Sequence, residues 1–275
     1  AESAPVDFDS FLENLRASAD YRAQMVHVHH VPARAARYAQ PQQPLSPACG
    51  RMLAGMGIAQ LYSHQAQALD LARAGRDILV TTSTASGKTL CYLLPVFERL
   101  ERDPDARVLA VYPTKALSQD QLRVFQRARD HAGLGHLLVG VIDGDTPASQ
   151  RRQLRDQAAV SITNPDMLHA GILPQHPRWA EVFARLSHVV VDEVHTYTGL
   201  LGANVGNLFS RLHRVCAHYG SKPQFLASSA TLANPLEVAA RLFGRPAELI
   251  DQDGSPAGPR TYVLWNPPRA EKDSR

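Results

Sequence analysis

The 275-residue sequence predicts a doubly wound α/β domain, with a mostly parallel sheet and helices on both of its faces. Two patterns carry that expectation. Six short runs are nearly continuous in Val, Ile and Leu, as strands buried on both faces must be. Between them lie stretches of helical period, so strand and helix alternate with right-handed crossovers. In this architecture ligands sit beyond the carboxyl ends of the strands, and the polar clusters of the sequence fall there.

Taken in order, residues 7–19 place Phe8, Phe11, Leu12 and Leu15 at helical spacing, with Asp7 or Asp9 as N-cap. From Pro32 to Pro47 the chain is rich in Pro, Gln, Ala and Arg and reads as an extended connector. Strands are expected over 77–82, 107–112, 137–142, 160–163, 188–192 and 224–228. Helices are expected near 64–74, 87–101, 115–132, 147–157, 178–186, 200–219 and 235–243. The expected division is an N-terminal extension over 1–56, the sheet domain over 57–250 and a linker from 251 to 275.

Composition narrows the function classes only a little. Lys and Arg total 29 against 26 Asp and Glu, a net charge of +3 that advertises no nucleic-acid or membrane partner. Cys49, Cys91 and Cys216 are odd in number and widely spaced, which argues against a zinc site or a disulfide framework and fits a reducing cytoplasm. No apolar run approaches the roughly 18 residues of a membrane span, and the acidic start lacks a signal-peptide pattern.

The chemistry begins where the apolar run Ile78-Leu79-Val80-Thr81 meets Thr82-Ser83-Thr84-Ala85-Ser86-Gly87-Lys88-Thr89 and then a helical run. A strand, a small-residue loop, Gly-Lys-Thr and a helix form the setting of a phosphate-binding loop. Its backbone N–H groups and helix end suit a polyphosphate, Lys88 the β and γ oxygens, and the Thr89 hydroxyl a Mg²⁺ ion. Thr82 and Ala85 stand where the strict pattern has Gly, and Ala85 adopts positive φ less readily than Gly. A second run, His188-Val189-Val190-Val191, ends in Asp192-Glu193. Asp192 suits Mg²⁺, directly or through water, and Glu193 suits the water that attacks a γ-phosphate.

At this point the sequence resembles superfamily 2 helicases of the DExH branch. Asp192-Glu193-Val194-His195 resembles their second motif, Ser229-Ala230-Thr231 their Ser-Ala-Thr motif, Pro113-Thr114-Lys115-Ala116-Leu117 motif Ia and Thr163-Asn164-Pro165-Asp166 the motif Ib region. Gln65 stands where that family places an adenine-reading Gln. Leu61-Tyr62-Ser63-His64-Gln65, Thr84-Ala85-Ser86-Gly87-Lys88, Asp143-Gly144-Asp145-Thr146-Pro147, Asn164-Pro165-Asp166-Met167-Leu168-His169 and Leu264-Trp265-Asn266-Pro267-Pro268 resemble the YprA-like, mitomycin-repair-factor group of bacterial DNA helicases. In that group Ala at the position of Ala85 is normal.

The resemblance implies a RecA-like fold, ATP and Mg²⁺ as cofactors, and 3′→5′ movement on single-stranded or tailed DNA, in DNA repair. It also implies a partner, the second RecA-like domain of a longer protein, with the present sequence cut near Pro268. By the same resemblance Gln65 reads the adenine edge, Tyr62 or Ile58 packs on the base, and Ser229, Ala230, Thr231 and His195 couple nucleotide state to the second domain. Thr114, Lys115, Thr146, Thr163 and Asn164 would face the track. Hydroxyls, amides and Lys grip phosphates and leave base edges unread, so binding independent of sequence is expected.

Competing readings remain an RNA track, a small-molecule P-loop phosphotransferase, and a non-catalytic nucleic-acid module. Weaker signals have plainer readings. His27-Val28-His29-His30 reads as a solvated strand or docking segment, Asp143-Gly144-Asp145 as a tight turn before a capped helix, and Trp179 and Trp265 as packing anchors. Arg123, Arg127 and Arg129 read as solvated, and Arg151-Arg152-Gln153-Leu154-Arg155 as a charged helix face or part of the DNA path.

Overall fold

In the computed structural model, which describes residues 8–267, the strands are β1 (Met25–Val31), β2 (Ile78–Val80), β3 (Arg107–Val111), β4 (Leu138–Val141), β5 (Ala158–Thr163), β6 (Leu186–Val191), β7 (Gln224–Ser228), β8 (Glu248–Ile250) and β9 (Arg260–Trp265). The helices are α1 (Phe8–Ala17), α2 (Pro47–Gly55), α3 (Ser63–Arg73), α4 (Thr89–Arg102), α5 (Lys115–His131), α6 (Ala148–Gln157), the short α7 (Pro165–Met167), α8 (Ala180–Ala184), α9 (Gly199–His218) and α10 (Pro235–Phe243). A π-type turn, Leu168–Ile172, and a 3₁₀ stretch, Leu173–Trp179, connect α7 to α8.

Seven strands form one sheet in the order β4-β5-β3-β6-β7-β2-β8, and every neighbouring pair is parallel. The central strands are apolar throughout because alternate residues enter different cores. Val108, Ala110 and Val190 join the core under α2, α3, α4 and α5. Leu109, Val111, Val189 and Val191 join the core under α8, α9 and α10, where Phe209, Phe225 and Phe243 meet and Trp179 is buried. This is the doubly wound arrangement expected from the sequence.

The chain divides into two compact units, one of them Ala36–Ser255, which holds the seven-stranded sheet. This compact unit begins at Ala36, ahead of the domain boundary expected after residue 56. Helix α2 is part of the sheet unit, capped by Ser46, whose hydroxyl accepts from Cys49 N, and buried through Ala48, Cys49, Met52 and Leu53. Among the described residues, the other unit joins 8–35 to 256–267, with β1 and β9 antiparallel and Tyr21 facing Trp265. Residues expected to be a linker from 251 onward thus include a strand. Asp7 and Pro268 lie outside the described residues. Arg129 is half-buried, donating to Leu137 O at 3.2 Å, where a solvated side chain was expected.

Candidate active site

The loop after β2 is small because it must turn sharply from a central strand into α4. Ala85 and Gly87 adopt left-handed backbone, with φ of +62° and +80°. The Thr82 and Ser86 hydroxyls bond each other at 2.7 Å across the base of the loop, while Thr84 and Ala85 are exposed at its tip. The Lys88 ammonium folds back to donate to Thr82 O at 3.0 Å and Ser83 O at 2.8 Å. It therefore lies over the loop, among the oxygens that a polyphosphate would replace.

Two side chains from outside the loop hold its ends. Asp253, beyond β8, accepts from Ser83 N at 3.2 Å and from the Ser83 hydroxyl at 2.5 Å. Its other carboxylate oxygen accepts from Ser255 N and the Ser255 hydroxyl. At the far end, Gln65 donates to Gly87 O at 3.0 Å and accepts from Tyr62 N at 2.9 Å. Both polar atoms of the Gln65 amide thus serve the loop and the start of α3. Tyr62 stacks between Tyr38, at 5.4 Å, and His64, at 5.9 Å.

The acidic end of β6 lies across β7 from the loop, two strands away in the sheet. One Asp192 oxygen accepts from Glu193 N at 2.8 Å and from the Ser228 hydroxyl at the end of β7. The other accepts from the Tyr92 hydroxyl of α4 at 3.3 Å. The same hydroxyl also lies 3.2 Å from Gln121 Oε1 of α5, and Tyr92 stands on the first turn of α4, three residues after Thr89, so Asp192 is tied to the helix that follows the phosphate loop. Burial first, and then the Asp192 charge, hold the Tyr92 hydroxyl well above its usual range, so it stays a donor.

Glu193 adopts left-handed backbone at φ +55°, and its half-exposed side chain reaches His195. His195 Nδ1 lies 3.2 Å from Glu193 Oε2 and 3.2 Å from Ala230 N, which donates to it. One ring nitrogen cannot accept from Ala230 and donate to Glu193 at once, so these contacts are alternatives that exchange with the tautomer. Ser229 is fully buried, its N–H donating to Val80 O and its hydroxyl without a partner among the described residues. Thr231 is exposed. The second motif and the Ser-Ala-Thr segment are therefore in contact.

Beyond β3, β4 and β5 the residues expected to face a track divide into two groups. Thr114 caps α5, accepting from Leu117 N, and is exposed beside Lys115, which pairs with Asp145 at 2.6 Å. Thr146 is half-buried, and its hydroxyl accepts from Asp143 N in the turn before α6. Thr163 departs from expectation: it is fully buried, and its hydroxyl donates to Ile142 O at 2.7 Å, so its side chain is structural. Asn164 is nearly buried and caps α7 by accepting from Met167 N at 2.8 Å. Arg151 donates to the carbonyls of Asp143 and Thr146, which makes it a brace of that turn.

Sequence reasoning missed Asp253, Ser228, Tyr92 and Tyr38 at the site. Ser228 and Tyr92 read as the end of a strand and the face of a helix. Asp253 follows β8, a three-residue strand in a stretch with too little apolar pattern to register.

Comparison with known proteins gives the chain its place. The family model described as DEAD/DEAH box helicase matches residues 62–238. The chain belongs to the DEAD/DEAH box helicases. The uncharacterized ATP-dependent helicase YprA of Bacillus subtilis is 40% identical over 248 residues, covering 90% of this chain and 33% of the relative. The ATP-dependent helicase HRQ1 of Saccharomyces cerevisiae is 39% identical over 261 residues, 94% of this chain and 24% of the relative. A solved structure of the DUF1998 helicase MrfA bound to DNA and AMPPNP matches with a TM-score of 0.89 and 38% identity, over 97% of this chain and 37% of that one. This DEAD/DEAH chain thus has the RecA-like helicase fold and spans about a third of the length of YprA.

Proposed function

We propose that this chain is the first RecA-like motor domain of an ATP-dependent DNA helicase that moves 3′→5′ and serves DNA repair in the cytoplasm. The observation that carries the reading is the Lys88 ammonium over the loop carbonyls of Thr82 and Ser83, with Asp192 of β6 tied to the helix after that loop through the Tyr92 hydroxyl at 3.3 Å. The names of the relatives agree, since YprA and HRQ1 are ATP-dependent helicases and MrfA was solved with DNA and AMPPNP. Three buried free cysteines suit a reducing compartment, and no helix among the described residues is long and apolar enough to cross a membrane.

One carboxylate and one hydroxyl are few protein donors, which fits Mg²⁺, an ion that keeps waters and shares its remaining positions with substrate phosphates. Asp192 and Thr89 would hold it, and when bound it neutralises phosphate charge. Lys88 exchanges the Thr82 and Ser83 carbonyls for β and γ phosphate oxygens. Glu193 orients the attacking water, and His195, touching both Glu193 and Ala230, relays the state of that site to Ser229-Ala230-Thr231 and a second motor domain. Thr114, Lys115 and Thr146 grip the track at the exposed edge, with Asn164 holding the adjoining turn.

A second RecA-like domain in the longer protein is expected to contribute an arginine to the transition state, a group worth about 10³-fold or more in rate. The 275-residue chain alone is therefore expected to bind ATP weakly and to hydrolyse it slowly. The test is ATP hydrolysis by the longer protein with single-stranded DNA or RNA of equal length. Stimulation by DNA, abolished by Lys88→Ala, supports the reading. Preference for RNA overturns the choice of track, and brisk DNA-stimulated turnover by the isolated chain overturns the division of labour.

A further inference from the structure

Two stretches of the chain carry cations and no acid. Between Met167 and Ala180 and between Val194 and Leu236 there is no acid, yet Arg178, Arg211, Arg214 and Lys222 fall within them, four cations in a chain that nets only +3. The fold packs these stretches together, since α9 lies against the 3₁₀ stretch Leu173–Trp179. Along α9, Asn207, Arg211, Arg214 and His218 recur at intervals of four, three and four residues. They form one stripe about 16 Å long at a rise of 1.5 Å per residue.

Arg211 and Arg214 stand on a ridge between two hollows that both of them line. One hollow, of about 660 Å³, lies against Phe243, Gly244 and Arg245. The other, of about 450 Å³, lies against Leu173, Pro174 and His176. Neither is lined by a carboxylate. Arg245 is paired with Asp77, whereas Arg211 and Arg214 have no ion pair among the described residues. Arg211 rests against His169 Nδ1 at 2.8 Å, which directs its guanidinium without neutralising it.

Resting on the DNA reading above, we infer that this stripe is a second nucleic-acid surface, on the flank of the domain, that takes the backbone of double-stranded DNA. It is separate from the single-strand track, because α9 covers a face of the sheet while the track residues stand beyond the strand ends. A cationic ridge between two hollows is the complement of a duplex groove, in which a protruding helix lies between two phosphate rails. The stripe's length corresponds to the axial rise of about five base pairs at roughly 3.4 Å each. Guanidinium groups without carboxylate partners suit phosphates bidentately, and contacts of this kind position a duplex without reading its sequence.

The test compares the wild-type chain with Arg211→Ala/Arg214→Ala and with Arg211→Lys/Arg214→Lys. The probes are a fluorescent blunt 24-base-pair DNA duplex and a 24-nucleotide single strand, each titrated over a series of salt concentrations. The alanine pair is expected to lose tenfold or more in duplex affinity and to show a log–log salt slope shallower by about 2. The lysine pair is expected to recover much of both, and all three proteins should keep single-strand affinity within about twofold, since the track is elsewhere. Both side chains are on the surface, so melting temperatures should agree and report folding. Duplex affinity unchanged in the alanine pair, or absent from the wild type, overturns the inference. Equal loss on both probes also overturns it, by making the stripe part of the track. None of these outcomes touches ATP hydrolysis stimulated by single strands, which judges the motor reading separately.

Discussion

Ala85 and Glu193 hold left-handed backbone at the two loops that build the site. For a residue with a Cβ that conformation costs about 1–2 kcal/mol. Ala85→Gly removes the strain but adds freedom to the unfolded chain worth roughly 0.5–1 kcal/mol. The remaining gain should raise the thermal midpoint by about 1–3 °C, measurable by calorimetry. Asp253 acts on the same loop from a distance. Asp253→Ala leaves Ser83 N–H and its hydroxyl without their acceptor. Hydrogen bonds to a charged group are worth about 1.5–3 kcal/mol each, so loss of the pair should weaken binding of a fluorescent ATP analogue by about tenfold or more. The motif residues were legible in the sequence, because Asp192 and Glu193 end an apolar run and Lys88 closes a small-residue loop between an apolar run and a helical one. Asp253 and Thr163 were not: burial and hydrogen-bond partners decide them, and neither follows from spacing along the chain.

Among the elements, the six apolar runs became strands and the seven helical stretches between and beside them became helices, because burial on both faces writes itself into continuous hydrophobicity. An edge strand escaped. Strand β8 has three residues and pairs on one side only, so β2 and the Asp77 region supply what its own sequence lacks. Asp77 ties these pieces together: it accepts from Phe225 N at 2.8 Å and pairs with Arg245, which also donates to Pro223 O. Arg245 in turn lies over the Phe225 ring. Removing one partner of a nearly buried pair leaves an uncompensated charge, which typically costs about 3–5 kcal/mol. Asp77→Ala should destabilise the chain by about 3 kcal/mol in urea unfolding, since Arg245 is partly exposed and regains some water. A loss under about 1 kcal/mol would mean that β7 and β8 hold their places without this tie.

At the scale of the whole molecule, a near-neutral net charge conceals a cationic stripe on α9, and the same averaging conceals how the fold answers to acid. His188 lies in β6, in register with Val108 of β3 and Gln224 of β7, and is nearly buried. Burial, with a smaller contribution from Arg99, pulls its imidazole down from 6.5 to about 4. The unfolded chain therefore binds this proton more readily than the folded one between those values, so stability rises with pH across that window. The contribution is fully present above about pH 6.5 and is lost as pH falls toward about 4. Between pH 7 and pH 5 the loss should be about 2 kcal/mol. His213 is depressed as well, through burial and then Arg245, and adds in the same direction. His188→Gln removes the larger titrating group while keeping a polar side chain beside Ser187. Urea unfolding of both proteins at pH 7 and pH 5 checks the assignment. The wild type should lose more stability than the variant on acidification, and equal losses would assign the acid sensitivity to other groups. The expected loss belongs to the sheet itself, because a proton on His188 charges a strand that is paired on both sides.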